Sequence, residues 1–319
     1  MNRREIIDWT RRWYGPAVDP ILPELTSQVE LLTRATGEGV FFIEFFEAAL
    51  NSESLFGRVK LVHVAQFLEH LSSARKRDMA RRRRDNLREL FAGWGLDGAP
   101  LERMYDHVFA HGLHEFYPVA SVEWDVGARR FEEVSLYCEP QAAEIAAAIG
   151  RGLGVPKNRL EAVLGLRRVF AVGYDFRPGK PSRFKLYHSF PVSAERLRRY
   201  ASARHFFTLP RRLWPKEYLV LRRKADGGDF EDIRKVYLPY LDRRSVTDGT
   251  TVYGLGGAAR PGKLKDFFTA IRDSSEGQFL DYVGAEGDKI EIYFGKPSLG
   301  WQQLGEAGRL GSGRGGRRA

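Results

Sequence analysis

RVFAVGYDFRPGKPSRFKLYHSF, residues 168–190, holds two apolar-alternating runs joined by Arg-Pro-Gly-Lys, and its second run ends Arg183-Phe184-Lys185-Leu186-Tyr187. Side chains on a strand point alternately to its two faces. Phe184 and Leu186 therefore share one face, and Arg183, Lys185 and Tyr187 share the other. The Pro-Gly pair between the runs is hairpin chemistry. One strand thus carries an apolar face and a face of cations and a phenol.

The same unit recurs along the chain. PVASVEWDVGARRFEEVSLYCE (118–139), EYLVLRRKADGGDFEDIRKVYLPY (217–240) and GQFLDYVGAEGDKIEIYFGK (277–296) each read as two strands meeting at a polar, Gly- or Asp-rich turn. Amphipathic stretches follow the first three hairpins: QAAEIAAAIGRGLG (141–154), SAERLRRYAS (193–202) and KLKDFFTAIRDS (263–274). TTVYGLGG (250–257) reads as an irregular strand before the last of these. Tyr137, Tyr187, Tyr237 and Tyr293 end the second strand of each hairpin, at separations of 50, 50 and 56 residues. A period of that length marks a repeated supersecondary unit.

Upstream, residues 2–14 and 24–35 have helical spacing. The aromatic run GVFFIEFFEAAL (39–50) suits a strand, with a buried helix as the alternative, and GRVKLVHV (57–64) returns beside it. Helices are expected over roughly 65–95 and at 99–111. The hairpin helices must bury their apolar sides, so they cover the Val/Leu/Ile face of the sheet. The Lys/Tyr face then looks away from them. An open sheet would leave it in bulk water, whereas closure into a barrel makes it a lumen and removes the exposed edges. With 39–64 as a first hairpin, the count is ten strands. The reading is an α+β fold, a closed antiparallel barrel ringed by helices, spanning residues 1–300 as one domain. RLGSGRGGRR (309–318) marks 301–319 as a Gly/Arg-rich disordered tail.

Composition agrees with a globular protein. Of the 319 residues 43% are hydrophobic, and the formal net charge is +10. A basic balance points to an anionic partner: nucleic acid, phosphate esters or an acidic surface. The arginines of RKRDMARRRR (75–84) read as the solvated face of a long helix. One cysteine, Cys138, excludes an internal disulfide and a cysteine zinc site. That usage, and a start without the apolar core of a signal peptide, predict a cytoplasmic protein. No run of about 18 apolar residues predicts a membrane span, and a monomer is expected.

Cations converging in a closed lumen cannot neutralise one another, and each is costly unless an anion joins them. Phosphate or pyrophosphate suits best, because its oxygens accept bonds from Lys and Arg. The tyrosines donate to such oxygens, and their ring faces attract cations. A diphosphate leaving an allylic carbon creates both charges together, an anion to hold and a carbocation to shelter.

These helix–hairpin repeats with Lys-x-Tyr strand endings resemble the ABBA-type aromatic prenyltransferases, barrels of ten antiparallel strands ringed by helices. VGYDF…RFKLY (172–187) and LRELFAGWGLDGAPLERMYDHVFAHGLHEFYPVASVEWD (87–125) are similar to the cyanobactin-type peptide prenyltransferases of RiPP biosynthesis in particular. The resemblance covers roughly 37–297. It implies transfer of a dimethylallyl or geranyl group from its diphosphate, with Mg²⁺, to an aromatic or nitrogen-rich side chain of a peptide. It also implies Glu44 as base, with Glu47 as the alternative. Carried over likewise are Arg58, Lys60, Arg183, Lys185, Lys235 and Lys289 as diphosphate ligands, and Tyr137, Tyr187, Tyr237 and Tyr293 as the cation shield. Ser135 departs from the pattern where the family places a basic residue. Glu291 is a further departure, a candidate for Mg²⁺, a cationic acceptor or a lysine partner. Carboxylates among aromatics have a raised proton affinity, as a base at Glu44 requires.

Other motifs read as structural. Asp175 is expected to be a hairpin-turn residue. His107, His111 and His114 lie on one helical side but run into a Gly helix end, so no zinc site is expected. YGLGG (253–257) is a loop, without the frame of a nucleotide fingerprint. Two alternatives stay open. One is the same barrel acting on a small aromatic acceptor such as a phenol, indole or phenazine. The other is an RNA-binding protein with an open basic and aromatic sheet.

Overall fold

The computed structural model describes residues 3–34, 39–46, 57–65, 72–113, 119–138, 142–165, 169–191, 193–199, 217–225, 230, 235–239, 279–286 and 289–296. The expected elements at 250–257 and 263–274, Glu47 and His114, and the segment 301–319 lie outside the described residues.

Ten strands form one antiparallel sheet: β1 (Gly39–Phe46), β2 (Arg58–Ala65), β3 (Val119–Asp125), β4 (Arg130–Cys138), β5 (Val169–Arg177), β6 (Lys180–Pro191), β7 (Glu217–Ala225), β8 (Lys235–Pro239), β9 (Phe279–Glu286) and β10 (Lys289–Lys296). Each pairs with its sequence neighbour, and β1 pairs with β10 through Ile43↔Lys296 to Phe46↔Tyr293, so the sheet is a closed barrel. The aromatic run after Gly39 is a strand. Helices α1 (Arg3–Tyr14), α2 (Leu22–Arg34), α3 (Ser73–Gly93), α4 (Ala99–Ala110), α5 (Ala142–Gly152), α6 (Lys157–Gly165) and α7 (Ala194–Leu197) accompany it. Among the described residues no helix is long and apolar enough to cross a membrane.

Alternation sorts the strand residues into two faces. Val134 and Leu136 of β4, Val172, Tyr174 and Phe176 of β5, and Phe184 and Leu186 of β6 are buried with Leu87, Leu90 and Phe91 of α3, Leu101 and Tyr105 of α4, and Ile145 and Ile149 of α5. This layer between barrel and helices is the main core. Alanines 142, 146 and 148 are also buried on α5, and their small side chains let that helix lie close to its neighbours. At the β5–β6 turn, Gly179 adopts φ 62° after Pro178, the conformation that the third position of a type II turn demands.

Helix α3 begins at Ser73, later than the expected 65. Ser72 caps it, its Oγ accepting from the Arg75 amide at 3.3 Å, as N-terminal caps do. Its arginine run is mostly a solvated face, but its last member, Arg84, and Arg88 one turn further on clamp α3 to α4. Arg84 reaches Asp106 at 3.1 Å, and Arg88 pairs with Glu102 through both carboxylate oxygens. Arg83 is fully buried, which the reading of a solvated run did not foresee. Helix α2 is tied to the barrel by Trp124, whose Nε1 donates to Gln28 at 2.9 Å. Helix α1 is tied by Tyr14, which donates to the Arg58 carbonyl.

Candidate active site

The second face of the strands lines the inside of the barrel. Tyr137, Tyr187 and Tyr237 form a row on three different strands, with ring centroids 6.2 and 5.9 Å apart. Leu221 and Tyr237 make a small apolar cluster with Phe170 and Tyr187, separate from the main core. Glycine makes room for this row. Gly173 is the cross-strand partner of Tyr137 and Gly284 that of Tyr237. A Cβ on Gly173 would stand 3.1 Å from the Tyr137 ring, and one on Gly284 would stand 3.0 Å from the Tyr237 ring. Each ring therefore lies over a strand position that carries no side chain.

Lysines converge on the row. The ammonium groups of Lys60 and Lys185 both donate to the Tyr137 hydroxyl, at 3.2 and 3.3 Å. Lys235 Nζ lies 5.0 Å from the centre of the Tyr237 ring. All three lysines are buried, at 7–8% exposure. The expected ligands on β2, β6 and β8 and the expected shield tyrosines on β4, β6 and β8 are thus gathered in one place.

The wall also carries carboxylates that the sequence reading did not place there. Asp175 is not in a turn. It lies inside β5, fully buried, and binds Lys185 at 2.5 Å and Arg183 at 3.0 Å. Arg183 also reaches Glu133 at 3.1 Å. Arg58 pairs with Glu123 at 2.9 Å, and Arg223 grips Glu286 through both carboxylate oxygens at 3.0 and 2.7 Å. The expectation that the lumen cations lack partners until an anion arrives is therefore corrected. Cross-strand carboxylates balance part of the charge, and Arg58 and Arg183 help build the wall as much as they offer ligands.

Ser135 is not merely a missing base. Its hydroxyl lies 2.6 Å from Glu133 Oε1 and 2.7 Å from Asp175 Oδ1, bridging two carboxyls. Glu123, Glu133, Asp175, Arg223 and Glu286 had one legible signal. Each falls on the same strand parity as its lumen neighbours, such as Ser135 and Tyr137, so the alternation that found the tyrosines also marks these residues.

Electrostatics follow from the geometry. Burial alone would raise the Asp175 carboxyl, but Lys185 and Arg183 outweigh it and hold it down to about 2. Burial works against the charged Lys185 too, yet Asp175 beside it keeps that ammonium well above its ordinary value. Burial, then the neighbouring Asp175 charge, push Glu133 above the usual carboxylate range. Burial pushes the Tyr187 phenol well up, so the middle ring of the row stays neutral.

Four expected residues are placed by backbone register alone. Glu44 stands opposite Lys60 on one side and Gly295 on the other. Lys289 stands opposite Glu286, Glu291 opposite Gly284, and Tyr293 opposite Tyr282 and Phe46. Glu44 is thus level with a lysine of the cluster. Among the described residues no three His, Cys, Asp or Glu side chains gather to hold a metal ion. The described lumen carboxylates are tied to Arg or Lys, which does not suit a protein-built Mg²⁺ cage.

Neither a protein-family model nor a curated protein sequence matches the chain. Solved structures do. The 5-dimethylallyltryptophan synthase of Streptomyces coelicolor matches with TM-score 0.56 at 14% identity, over 86% of this chain and 92% of its own. AnaPT of Neosartorya fischeri matches with TM-score 0.53 at 13% identity, over 82% and 78%. The prenyltransferase PriB in complex with product diphosphate matches with TM-score 0.53 at 12% identity, over 86% and 90%. The fold is therefore the ABBA prenyltransferase barrel. A closed barrel with its basic, phenolic face inward does not provide the open sheet that the RNA-binding alternative requires.

Proposed function

We propose that this protein is a prenyltransferase that moves a dimethylallyl or geranyl group from its diphosphate to an aromatic or nitrogen-rich side chain of a peptide. The observation that carries this reading is the convergence of Lys60 and Lys185 on one phenol oxygen, beside a row of three tyrosine rings. Buried ammonium groups at that spacing suit the nonbridging oxygens of a diphosphate. The rings suit the allylic cation that forms as the carbon–oxygen bond to diphosphate breaks.

In this reading the diphosphate departs with the bonding electrons, held by Lys60, Lys185 and Lys235. Tyrosine faces exclude water from the cation until the acceptor attacks it. The proton that the acceptor then loses passes to the Glu44 carboxylate. Mg²⁺, if the reaction uses it, would supply neutralisation of the diphosphate charge. Glu291, at its register position opposite Gly284, is the candidate protein ligand for it.

A second reading has its own support. One similar structure is described as a complex with L-tryptophan and dimethylallyl thiolodiphosphate, which favours a small aromatic acceptor such as an indole. Both readings are tested together. The protein is incubated with dimethylallyl or geranyl diphosphate and Mg²⁺, with free tryptophan, a phenol, or linear and cyclic peptides. A mass gain of one isoprene unit, or two, on a peptide supports the first reading. Gain on free tryptophan or the phenol alone supports the second. No transfer to any acceptor overturns both.

A further inference from the structure

Ser135 has one hydroxyl proton, yet its oxygen sits within hydrogen-bond distance of two carboxyl groups, Glu133 at 2.6 Å and Asp175 at 2.7 Å. If both carboxyls were ionised, one of those contacts would set an oxygen lone pair against an anion with no proton between them. A single extra proton removes the conflict, and the remaining contacts decide where it sits. Asp175 holds two cations, Lys185 at 2.5 Å and Arg183 at 3.0 Å. Glu133 has Arg183 at 3.1 Å on its other oxygen, with Lys185 only at 3.9 Å. The proton belongs on the carboxyl with the weaker cation contacts.

We propose that Glu133 is a neutral acid in the resting lumen. It donates to Ser135, which donates in turn to Asp175, and this proton leaves the Arg183–Lys185 pair with a net positive charge for the incoming diphosphate. Glu133 is then a positioning residue that sets the charge of the anion site, and it exchanges its proton with solvent through its 12% exposed side chain. Burial and the Asp175 charge act on Glu133 in the same direction.

The surrounding charges are consistent with this count. Asp175 on β5 and Arg183 and Lys185 on β6 touch or face Glu133. Glu123 on β3 is already paired with Arg58 of β2, and Arg177 on β5 is near enough to feel Glu133. With Glu133 neutral, the group formed by Glu133, Asp175, Arg183 and Lys185 carries one positive charge. With Glu133 ionised it carries none, and an anion meets one positive charge fewer than before.

The inference rests on the diphosphate reading for its consequence but not for the proton itself, and two measurements separate them. The first is the infrared spectrum of the ligand-free protein at neutral pH, with and without isotope-labelled glutamate. A protonated-carboxyl C=O band that shifts with the label and disappears in Glu133→Gln is expected. Labelling uses the unmodified chain, so a variant that fails to fold does not block the test. Absence of a glutamate-derived band overturns the proposal. The second is the pH dependence of inorganic pyrophosphate binding, followed upward from neutral pH, the direction in which a raised carboxyl ionises. Wild-type affinity should fall about tenfold more than that of Glu133→Gln, because a new negative charge appears beside the anion only in the wild type. Parallel curves for the two proteins overturn the charge-setting role. No pyrophosphate binding at any pH in either protein overturns the diphosphate reading, while the infrared band still reports on the proton.

Discussion

At the scale of single residues, the lumen is governed by which cation meets which carboxyl. Asp175 in the folded protein is held at about 2, below its ordinary 3.8. A depressed carboxyl contributes stability that is fully present above the unfolded value and is lost as pH falls through the folded one. Acid unfolding should therefore steepen between about pH 4 and pH 2, and Asp175→Asn should remove that limb. The same variant leaves Lys185 without its closest partner, and breaking a buried pair costs about 3–5 kcal/mol, measurable by chemical denaturation. Glu133 has the opposite sign. Its raised carboxyl gives up stability as pH rises from the unfolded value through the folded one, so Glu133→Gln should flatten the alkaline limb of the same curve. Tyr137→Phe removes the oxygen that Lys60 and Lys185 share. Bonds to charged groups contribute about 1.5–3 kcal/mol each, so the apparent KM for the prenyl diphosphate should rise by about tenfold or more. Glu44→Gln should leave pyrophosphate affinity within about threefold and reduce turnover at least about a hundredfold, the scale of general base catalysis. Near-normal turnover would move the base elsewhere.

At the scale of elements, paired strands position the rings. Tyr137 of β4 lies over Gly173 of β5, and Tyr237 of β8 over Gly284 of β9. Gly173→Ala would place a methyl 3.1 Å from the Tyr137 ring, so the ring must tilt and draw its hydroxyl from the two ammonium groups. Overpacking of this kind costs about 1–3 kcal/mol. Thermal unfolding should show the loss, and Tyr137→Leu in the same chain should relieve part of it, as coupled neighbours do. Helices act on the other face. Phe91 of α3 packs edge-on against Phe176 of β5 at 4.7 Å, in the strand that holds Asp175 one residue earlier. Burial of the apolar face thus fixes the strand that presents the charged one.

At the scale of the whole molecule, closure separates the two kinds of charge. The register of β1 with β10 joins the first hairpin to the last, so the basic residues of the wall face an enclosed space while much of the α3 arginine run faces solvent. Removing residues 289–319 would take away β10 and leave unpaired edges on β1 and β9. Loss of a cooperative thermal transition, with aggregation on a sizing column, is the expected result. Salt offers a second test. Pyrophosphate held by buried lysines should lose less affinity between low and high ionic strength than single-stranded RNA held by exposed arginines, because screening acts mainly on exposed charge.

The period-two alternation of RFKLY and its repeats determined, with no structure in hand, which residues face the helices and which face the lumen, because strand geometry allows only two faces. It also placed Lys185, Tyr137, Tyr187 and Tyr237 on the working face. The resemblance in short motifs reached the fold. Neither showed that Asp175 sits within a strand between Lys185 and Arg183, or that Ser135 bridges it to Glu133. Those contacts join residues up to 40 positions apart, Ser135 to Asp175 being the widest, and they depend on the stagger between neighbouring strands. Alternation is a property of one strand and is written locally. Stagger is a property of the closed sheet, set by how all ten strands pack their apolar faces under the helices, and only the tertiary structure decides it.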